Sequence, residues 1–467
     1  MALTQIIARG ALDQYLNDGA TASWWKVRYN RHTNFSCESV VQPFSTVVQW
    51  GSESQVVLNR QGDLVHYLYV QVELPGIVAT QGDGMGSQFA TYMENSCAPC
   101  AAADEAAFGA QGKAAWLGQE AYGGAPDLEC CLDTEDCPDT LCSEMGGVWC
   151  HWVNGIGFHL LKHVKIVIGG STVDQLWSEL LYIWEELSGK AGRRLTEMIG
   201  KRYTRTQLVC DSRQKRQLWI PLCFWFTQHS GNALSLASLQ FHGVSLHVEW
   251  ASLEKCVVVS GPDVMVKKAT TNTQLQNTDL KASLETTYVF LENAERERFS
   301  TNQFEVLITQ HQAFYMQATT SQPRIQLNFN HPVLECFFAA RRSCHERCNN
   351  WFNFSGIDSR DPILSADLLL NNQSRFGKKS GVYLRTVIPY QTHTNVPDAF
   401  CYVMSFALHP EDITPSGSCN FSRIDHCDLL LDLQPGLAQE QTTIMIFARS
   451  WNILRFREGL GGVAFAT

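Results

Sequence analysis

The chain has 467 residues, of which 45% are apolar and 18% are charged, as in folded globular proteins rather than disordered ones. A formal net charge of −10 argues against a protein that wraps nucleic acid through a basic surface. No apolar run approaches the roughly 18 residues that a membrane-spanning helix needs, and the first 16 residues lack the pattern of a signal peptide. The sequence therefore predicts a soluble protein of two to four domains that is made without export.

Alternation of apolar and polar residues recurs along the chain and predicts half-buried β-strands. In the first of these strands, residues 64–74, one face is expected to hold Leu64, Leu68, Val70, Val72 and Leu74. The same period of two recurs in 163–168, 245–250, 324–329 and 427–433. Repeated strands of this kind predict β-sandwiches or barrels.

Residues 76–156 are rich in Gly, Ala and acidic side chains and predict a large loop insertion. Seven cysteines follow one another in it: Cys97, Cys100, Cys130, Cys131, Cys137, Cys142 and Cys150. Disulfides are the favoured interpretation, because they would stabilise a loop that has no core of its own. A zinc site is an alternative, but only Cys97 and Cys100 have the close spacing of a ligand pair. Reduced thiols are the third alternative.

Residues 171–189 break the period of two, because their apolar residues follow a helical stripe. They predict a helix with Ser171 or Thr172 as its N-cap and Gly189 after its end. The following stretch, 190–216, holds nine Lys and Arg residues against Glu197 and Asp211. It predicts a solvated or intersubunit face, with a phosphate-facing patch as the alternative.

Two pairs of segments resemble each other across the chain. Residues 286–299 resemble 442–456, and residues 224–250 resemble 405–433. A tandem duplication is our hypothesis, and it predicts two similar β-domains that join near residues 293–300.

A second polar loop, residues 340–362, contains Cys344 and Cys348, which are interpreted as a loop staple. N-glycosylation acceptor patterns occur at Asn34, Asn353, Asn372 and Asn420. Asn353 and Asn420 are the candidates for modification because they lie in long polar loops. The sequence has no His-Glu-x-x-His, Gly-x-Ser-x-Gly or Walker motif, so it predicts no catalytic, cofactor or metal site.

Ordered segments along nearly the whole chain resemble the major capsid proteins of large eukaryotic DNA viruses, most closely those of the phycodnavirus-like algal viruses. These segments are 26–39, 59–74, 167–175, 216–226, 239–250, 327–332, 415–431 and 452–467. The resemblance implies an all-β fold, a double jelly roll of two tandem eight-stranded antiparallel sandwiches with short helices in the connections. It implies an N-terminal arm over 1–23, a first jelly roll over 24–293 and a second over 294–467.

The implied function is that of a structural subunit of an icosahedral capsid in the virion, not an enzyme. Homotrimers with a pseudo-hexagonal outline would form the capsomers, assembled in the host cytoplasm and contacting neighbouring capsomers, minor capsid proteins and penton proteins. No cofactor and no direct nucleic-acid contact are implied, although a membrane could lie beneath the shell. The insertion would face outward, and Asn420 would be a candidate outer-surface position. A glycan-binding β-sandwich and a zinc enzyme built on the cysteine segment are the rival hypotheses.

Overall fold

The computed structural model describes residues 32–81, 149–190, 195–203, 205–259 and 264–465. The first thirteen strands in chain order are β1 (Phe35–Pro43), β2 (Glu53–Val57), β3 (Leu64–Leu74), β4 (Ile77–Gln81), β5 (Cys150–Trp152), β6 (Leu161–Ile168), β7 (Ser171–Trp177), β8 (Arg216–Pro221), β9 (Leu234–Ser235), β10 (Val244–Trp250), β11 (Val257–Val259), β12 (Val264–Lys268) and β13 (Lys281–Leu291). The remaining strands are β14 (Phe304–Gln317), β15 (Arg324–Gln326), β16 (Pro332–Arg341), β17 (Ile363–Leu370), β18 (Gln373–Ser374), β19 (Lys379–Ser380), β20 (Cys401–Ser405), β21 (Cys419–Asn420), β22 (Cys427–Leu433), β23 (Thr443–Arg457) and β24 (Leu460–Val463).

Helices are short and lie in the connections between strands. They are α1 (Ile156–Leu160), α2 (Ser178–Ser188), α3 (Thr196–Ile199), α4 (Arg205–Ser212), α5 (Trp225–Gln228), α6 (Asn293–Thr301), α7 (Ser343–Arg347) and α8 (Ile388–Thr392), with a π-helical turn at Tyr383–Val387 directly before α8. Among the described residues, no helix has the length and apolarity that crossing a bilayer requires.

Strands β1 to β13, which we call the first unit, build two facing antiparallel sheets. Sheet 1a has the order β1-β13-β3-β8, and sheet 1b has the order β2-β10-β6-β7. Strands β14 to β24, the second unit, repeat this arrangement. Sheet 2a has the order β14-β23-β16-β20, and sheet 2b has the order β15-β22-β17-β18.

The eight main strands of the two units correspond one to one in chain order and in sheet position. The predicted all-β fold of two eight-stranded antiparallel jelly rolls is thus confirmed. The segments that resemble each other in sequence occupy matching places: 286–299 and 442–456 contain parts of β13 and β23, and 224–250 and 405–433 run up to β10 and β22. Helix α6 connects the two units.

The two units lie side by side with corresponding ends together. At one end, which we call the insertion end, β3 stops at Leu74 and β6 starts at Leu161. There the loop after β16 meets the first unit, because the Asn349 side chain donates to the carbonyls of Glu254 and Val257 at 2.8 Å each. At the opposite end, the far end, the Phe241 N–H donates to the Gly459 carbonyl at 3.0 Å.

The strand predicted over 64–74 is confirmed, but one of its faces was assigned wrongly near the start. Leu68, Val70, Val72 and Leu74 are buried as expected, whereas Val65 rather than Leu64 joins them in the core. The pairing register with β13 shifts between Leu68 and Val65, so a bulge reverses the alternation there. Sequence alternation assumes an unbroken pleat and therefore misses the bulge.

The predicted helix over 171–189 is wrong in its first half. Residues Ser171–Trp177 form β7, which pairs with β6, and the helix begins only at Ser178. Gly169 and Gly170 both have positive φ values, of 57° and 85°, and close the hairpin between β6 and β7. A Gly-Gly pair flanked by strand-forming residues is a hairpin signal that could have corrected the prediction.

The predicted insertion over 76–156 is too long. Strand β4 pairs with β12 and strand β5 pairs with β11, so both flanks of the predicted loop belong to sheets. These strands add small two-stranded sheets beyond the jelly roll, which the sequence pattern did not reveal. Residues 82–148 lie outside the described residues.

Candidate assembly surfaces

The outer face of sheet 2a is buried inside the chain, because β7 and α2 of the first unit lie across it. The Trp184 ring meets the Phe337 ring edge to face at 6.2 Å between centroids, and Trp177 lies 6.2 Å from Phe447. Aromatic pairs of this kind stabilise an interface beyond the apolar area that they bury. The two units therefore pack as one body around an aromatic contact.

A buried polar cluster lies within this contact. The Arg449 guanidinium donates to the Pro410 carbonyl at 2.9 Å and to the Gln228 side chain at 2.8 Å, and its Nη1 lies 3.4 Å from Glu335 Oε1. It also stacks over Trp184 at 4.4 Å from the ring centroid. His393 Nε2 lies 3.0 Å from the other Glu335 oxygen. Arg449 thus connects a buried carboxylate of the second unit to side chains of the first.

Two further buried polar contacts fix the register of the units. Asp174 accepts from the His311 backbone N–H at 2.8 Å, and its carboxylate lies 3.1 Å from His311 Nδ1. Glu179 on α2 accepts from Arg341 at 3.0 Å. Burial would raise the pKa of the Glu179 carboxyl, but the Arg341 charge and hydrogen bonds outweigh burial, so this pKa is lowered overall. Sequence reasoning missed these residues, although a lone charge inside an apolar strand is a usable signal.

The second polar loop, 340–362, is a packing element rather than an exposed projection. Trp351 stacks on His159 at 4.8 Å, and Phe352 stacks on Tyr182 at 4.5 Å. The Trp351 indole N–H donates to the Lys255 carbonyl at 2.9 Å. The sequence predicts a polar loop here, and the structure shows that this loop joins the units at the insertion end.

The predicted cysteine sites are only partly within the described residues. Cys97, Cys100, Cys130, Cys131, Cys137 and Cys142 lie outside them, so their disulfides or zinc site stay predictions. Cys150 is a buried thiol in β5, and burial raises its pKa to about 12. Cys344 and Cys348 pack together, and a disulfide staple between them stays a prediction. In the described ranges, no group of three or more metal-binding side chains comes together.

The two candidate acceptor asparagines lie at opposite ends of the strands. Asn420 pairs with Pro332, the first residue of β16, which places it at the far end, where it is exposed. Asn353 lies at the insertion end, is only 8% exposed, and accepts from the Ser355 N–H and hydroxyl. The insertion end and Asn420 therefore cannot both face the outside of a shell.

In the described part of the basic stretch 190–216, three of the basic side chains are paired with carboxylates of the same chain. Arg202 pairs with Asp211 and Glu197, Arg216 lies 3.1 Å from Asp211, and Lys201 pairs with the partly buried Glu186 at 2.7 Å. These pairs reduce the positive potential that a phosphate would require. They favour a packed or solvated face over a phosphate-facing patch.

Comparison with known proteins identifies the family on both units. The family described as large eukaryotic DNA virus major capsid protein matches residues 295–462, and the family described as major capsid protein N-terminus matches residues 23–94 and 128–292. The matched ranges leave out 95–127, which lies in the cysteine-rich insertion.

The similarity to individual relatives extends over almost the full length of the chain. The major capsid proteins of Pyramimonas orientalis virus and Phaeocystis pouchetii virus are 29% and 27% identical to it, each over 99% of both chains. A chain in a quasi-atomic model of the PBCV-1 virus capsid shares the fold with a TM-score of 0.67 and 24% identity, covering 95% of this chain and 100% of that one. The Faustovirus major capsid protein shares it with a TM-score of 0.63 at 10% identity, covering 98% and 96%.

These relatives are structural proteins rather than enzymes, and the comparisons give no support to the glycan-binding alternative. The chain belongs to the major capsid proteins of large eukaryotic DNA viruses and is a structural subunit of a virus capsid.

Proposed function

We propose that three copies of this chain close into one capsomer with a pseudo-hexagonal outline, which tiles an icosahedral shell assembled in the host cytoplasm. The observation that carries this proposal is the one-to-one correspondence of the eight strands in the two units. Two similar units per chain give six similar units in a three-fold ring, so a trimer can present nearly equivalent edges on six sides. Neighbouring capsomers, minor capsid proteins and penton proteins would bind these edges.

The parallel alignment of the units supports the same arrangement. Contacts at the insertion end and at the far end keep the strands of both units side by side. All six units of a trimer would then present insertion ends on one surface and far ends on the other. A shell built from such rings has two chemically different surfaces.

The trimer is tested by the mass of the purified protein in solution. Size-exclusion chromatography with light scattering should give three times the 52.4 kDa chain mass. Electron microscopy of the same fraction should show six-sided particles. A stable species of one chain at all accessible concentrations would refute the trimer.

The insertion end is the better candidate for the outside of the shell. The segment 97–150, most of which follows β4 and precedes β5 in the chain, has ten acidic residues and one lysine. Such a charge would be repelled by packaged nucleic acid or by an anionic membrane surface inside the shell. The far end, with the exposed Asn420, would then face inward.

This orientation predicts that Asn420 is unmodified in assembled virions, since a glycan there would occupy the inner surface. Peptide mass spectrometry of purified virions should find the bare peptide that contains Asn420. Finding a glycan on Asn420 would reverse the orientation and would leave the trimer itself unaffected. Asn353 should also be bare, because its side chain is buried.

A further inference from the structure

The outer face of sheet 1a is the counterpart of the buried outer face of sheet 2a, yet it is exposed in the single chain. Phe35 and Val41 on β1, Tyr67 on β3 and Trp219 on β8 are between 37% and 55% exposed. Strand pairing places these side chains on one face. Val41 pairs with Glu285, and Glu285 pairs with Tyr69. Gln71, two residues after Tyr69 on the same face of β3, pairs with Trp219. Exposed apolar faces of this kind, rich in aromatic residues, mark protein–protein interfaces.

The second unit has a segment that corresponds to the one covering sheet 2a. Helix α2 lies between the fifth and sixth main strands of the first unit, β7 and β8, and the helical segment 381–392 lies in the matching connection of the second unit, between β18 and β20. Most of the apolar side chains of α2 are buried. In contrast, Val382 and Tyr390 in the matching segment are 52% and 80% exposed. Within the described part of the chain, α2 thus covers sheet 2a. The outer face of sheet 1a and the matching helical segment of the second unit both stay exposed.

We propose that the segment 378–392 of one copy packs on the outer face of sheet 1a of the next copy, as α2 packs on sheet 2a within the chain. This inference rests on the proposed trimer and names the surfaces that would build it. The contact joins two different surfaces, so it is head-to-tail and closes into a ring after three copies if each step rotates by one third of a turn. In that ring, the six helix-on-sheet contacts alternate between those within a chain and those between chains.

The charges at the two open surfaces are mostly paired already. Lys378 pairs with Asp432, and Arg385 lies 3.1 Å from Asp361. On sheet 1a, Lys215 and Lys281 lie 2.6 Å and 3.9 Å from Glu73. The proposed contact therefore rests on its exposed apolar and aromatic side chains rather than on ion pairs between copies.

The test uses one variant on each surface, Tyr390→Asp and Trp219→Glu. Each introduces a charge into an apolar contact, so each variant alone should lose the three-chain species and elute as a single chain of 52.4 kDa. Leu408→Asp is the matched control, because Leu408 is 70% exposed on the far-end loop before β22 and should leave the trimer intact. The far-ultraviolet circular dichroism spectrum of every variant should match that of the parent protein, which shows that each chain is folded.

Mixing the two variants gives a sharper readout. The Tyr390→Asp copy keeps an intact sheet face and the Trp219→Glu copy keeps an intact helical segment, so the mixture should form a two-chain species that grows with concentration. The mixture should not form the closed ring of three copies. Each copy has lost one of its two contact surfaces, so the two-chain species cannot bind a third copy. A symmetric interface that used one surface twice would not be restored by mixing.

A photo-crosslinking amino acid at position 390 in the otherwise unchanged chain tests the same contact without a disruptive substitution, so the result does not depend on whether the variants fold. Its crosslinks should reach peptides of β1, β3, β8 or β13 in another copy. Trimers that survive both substitutions, or crosslinks confined to other segments, would overturn this inference while the trimer stands. A parent protein that stays a single chain would instead overturn the trimer and, with it, this contact.

Discussion

Replacing Arg449 with methionine is expected to lower the free energy of unfolding by about 3–5 kcal/mol, because the change leaves Glu335 as a buried charge without its guanidinium partner. Arg449 is 1% exposed and Glu335 is fully buried. The substitution also removes donors to Pro410 and Gln228 and the stacking on Trp184, so it weakens the contact between the two units. Urea denaturation at neutral pH measures the loss.

The matched control lies on the same strand. Arg455 pairs with Glu305 at 2.7 Å, but both side chains are more than half exposed. The same substitution there, Arg455→Met, should cost less than about 1 kcal/mol, because exposed ion pairs contribute little. Adding Glu335→Gln to Arg449→Met should recover part of the loss, since the uncompensated charge is then removed. Equal costs for Arg449→Met and Arg455→Met would refute the role assigned to the cluster.

Acid is expected to destabilise the protein through two buried histidines at the insertion end. Burial lowers the pKa of His159 to about 3, with Arg341 and Lys255 adding to the effect and Glu179 opposing it. Burial lowers the pKa of His345 to about 3 as well, with Arg342 and Arg341 adding to it and a hydrogen bond to the Asn353 carbonyl opposing it. Both residues lie where the loop after β16 meets the first unit.

The direction of the pH effect on the free energy of unfolding follows from the unfolded chain, in which a histidine has a pKa of about 6.5. Above that pH both states are neutral and the stability is fully present. Below it the unfolded state binds a proton that the folded state excludes, so the free energy of unfolding falls with the pH. Each histidine should remove about 2 kcal/mol between pH 7.5 and pH 5.

His159→Phe is the diagnostic variant for this effect. Phenylalanine can keep the stacking on Trp351 and cannot bind a proton, so the variant should lose about 2 kcal/mol less than the parent over that pH range. Urea denaturation at both pH values measures this difference. His426→Gln at the exposed far end is the control and should follow the parent. An unchanged pH dependence in His159→Phe would show that this buried histidine does not carry the acid sensitivity.

The alternating pattern predicted most of the strands, and the reason is local. A half-buried strand needs apolar residues at every second position. Segments 163–168 and 427–433 have this alternation in their sequences, and their apolar faces are buried as expected. The resemblance to the capsid family supplied the pairing of these strands into two jelly rolls. Neither source indicated the bulge beside Leu68, because a bulge depends on how the partner strand pairs.

The assembly surfaces could be predicted from the sequence much less well than the strands, because they form only in the tertiary structure. Arg449, Glu335 and Gln228 are far apart in the sequence and come together only when the second unit packs on the first. The segment 171–177 has a helical stripe of apolar residues, yet pairing with β6 makes it a strand, because tertiary contacts outweigh a weak local preference. Asn353 and Asn420 looked equivalent as polar-loop acceptors, and only the strand directions place them at opposite ends.

The sequence by itself determined the all-β architecture, the repeated halves and the family, because alternation, internal similarity and ordered motifs are properties of residues along the chain. Tertiary structure alone decided which sheet face is buried within the chain and which is left exposed. Sheets 1a and 2a have the same strand order and both carry apolar residues on their outer faces. Which of them is covered depends on where the neighbouring unit lies, and a one-dimensional pattern does not contain that information.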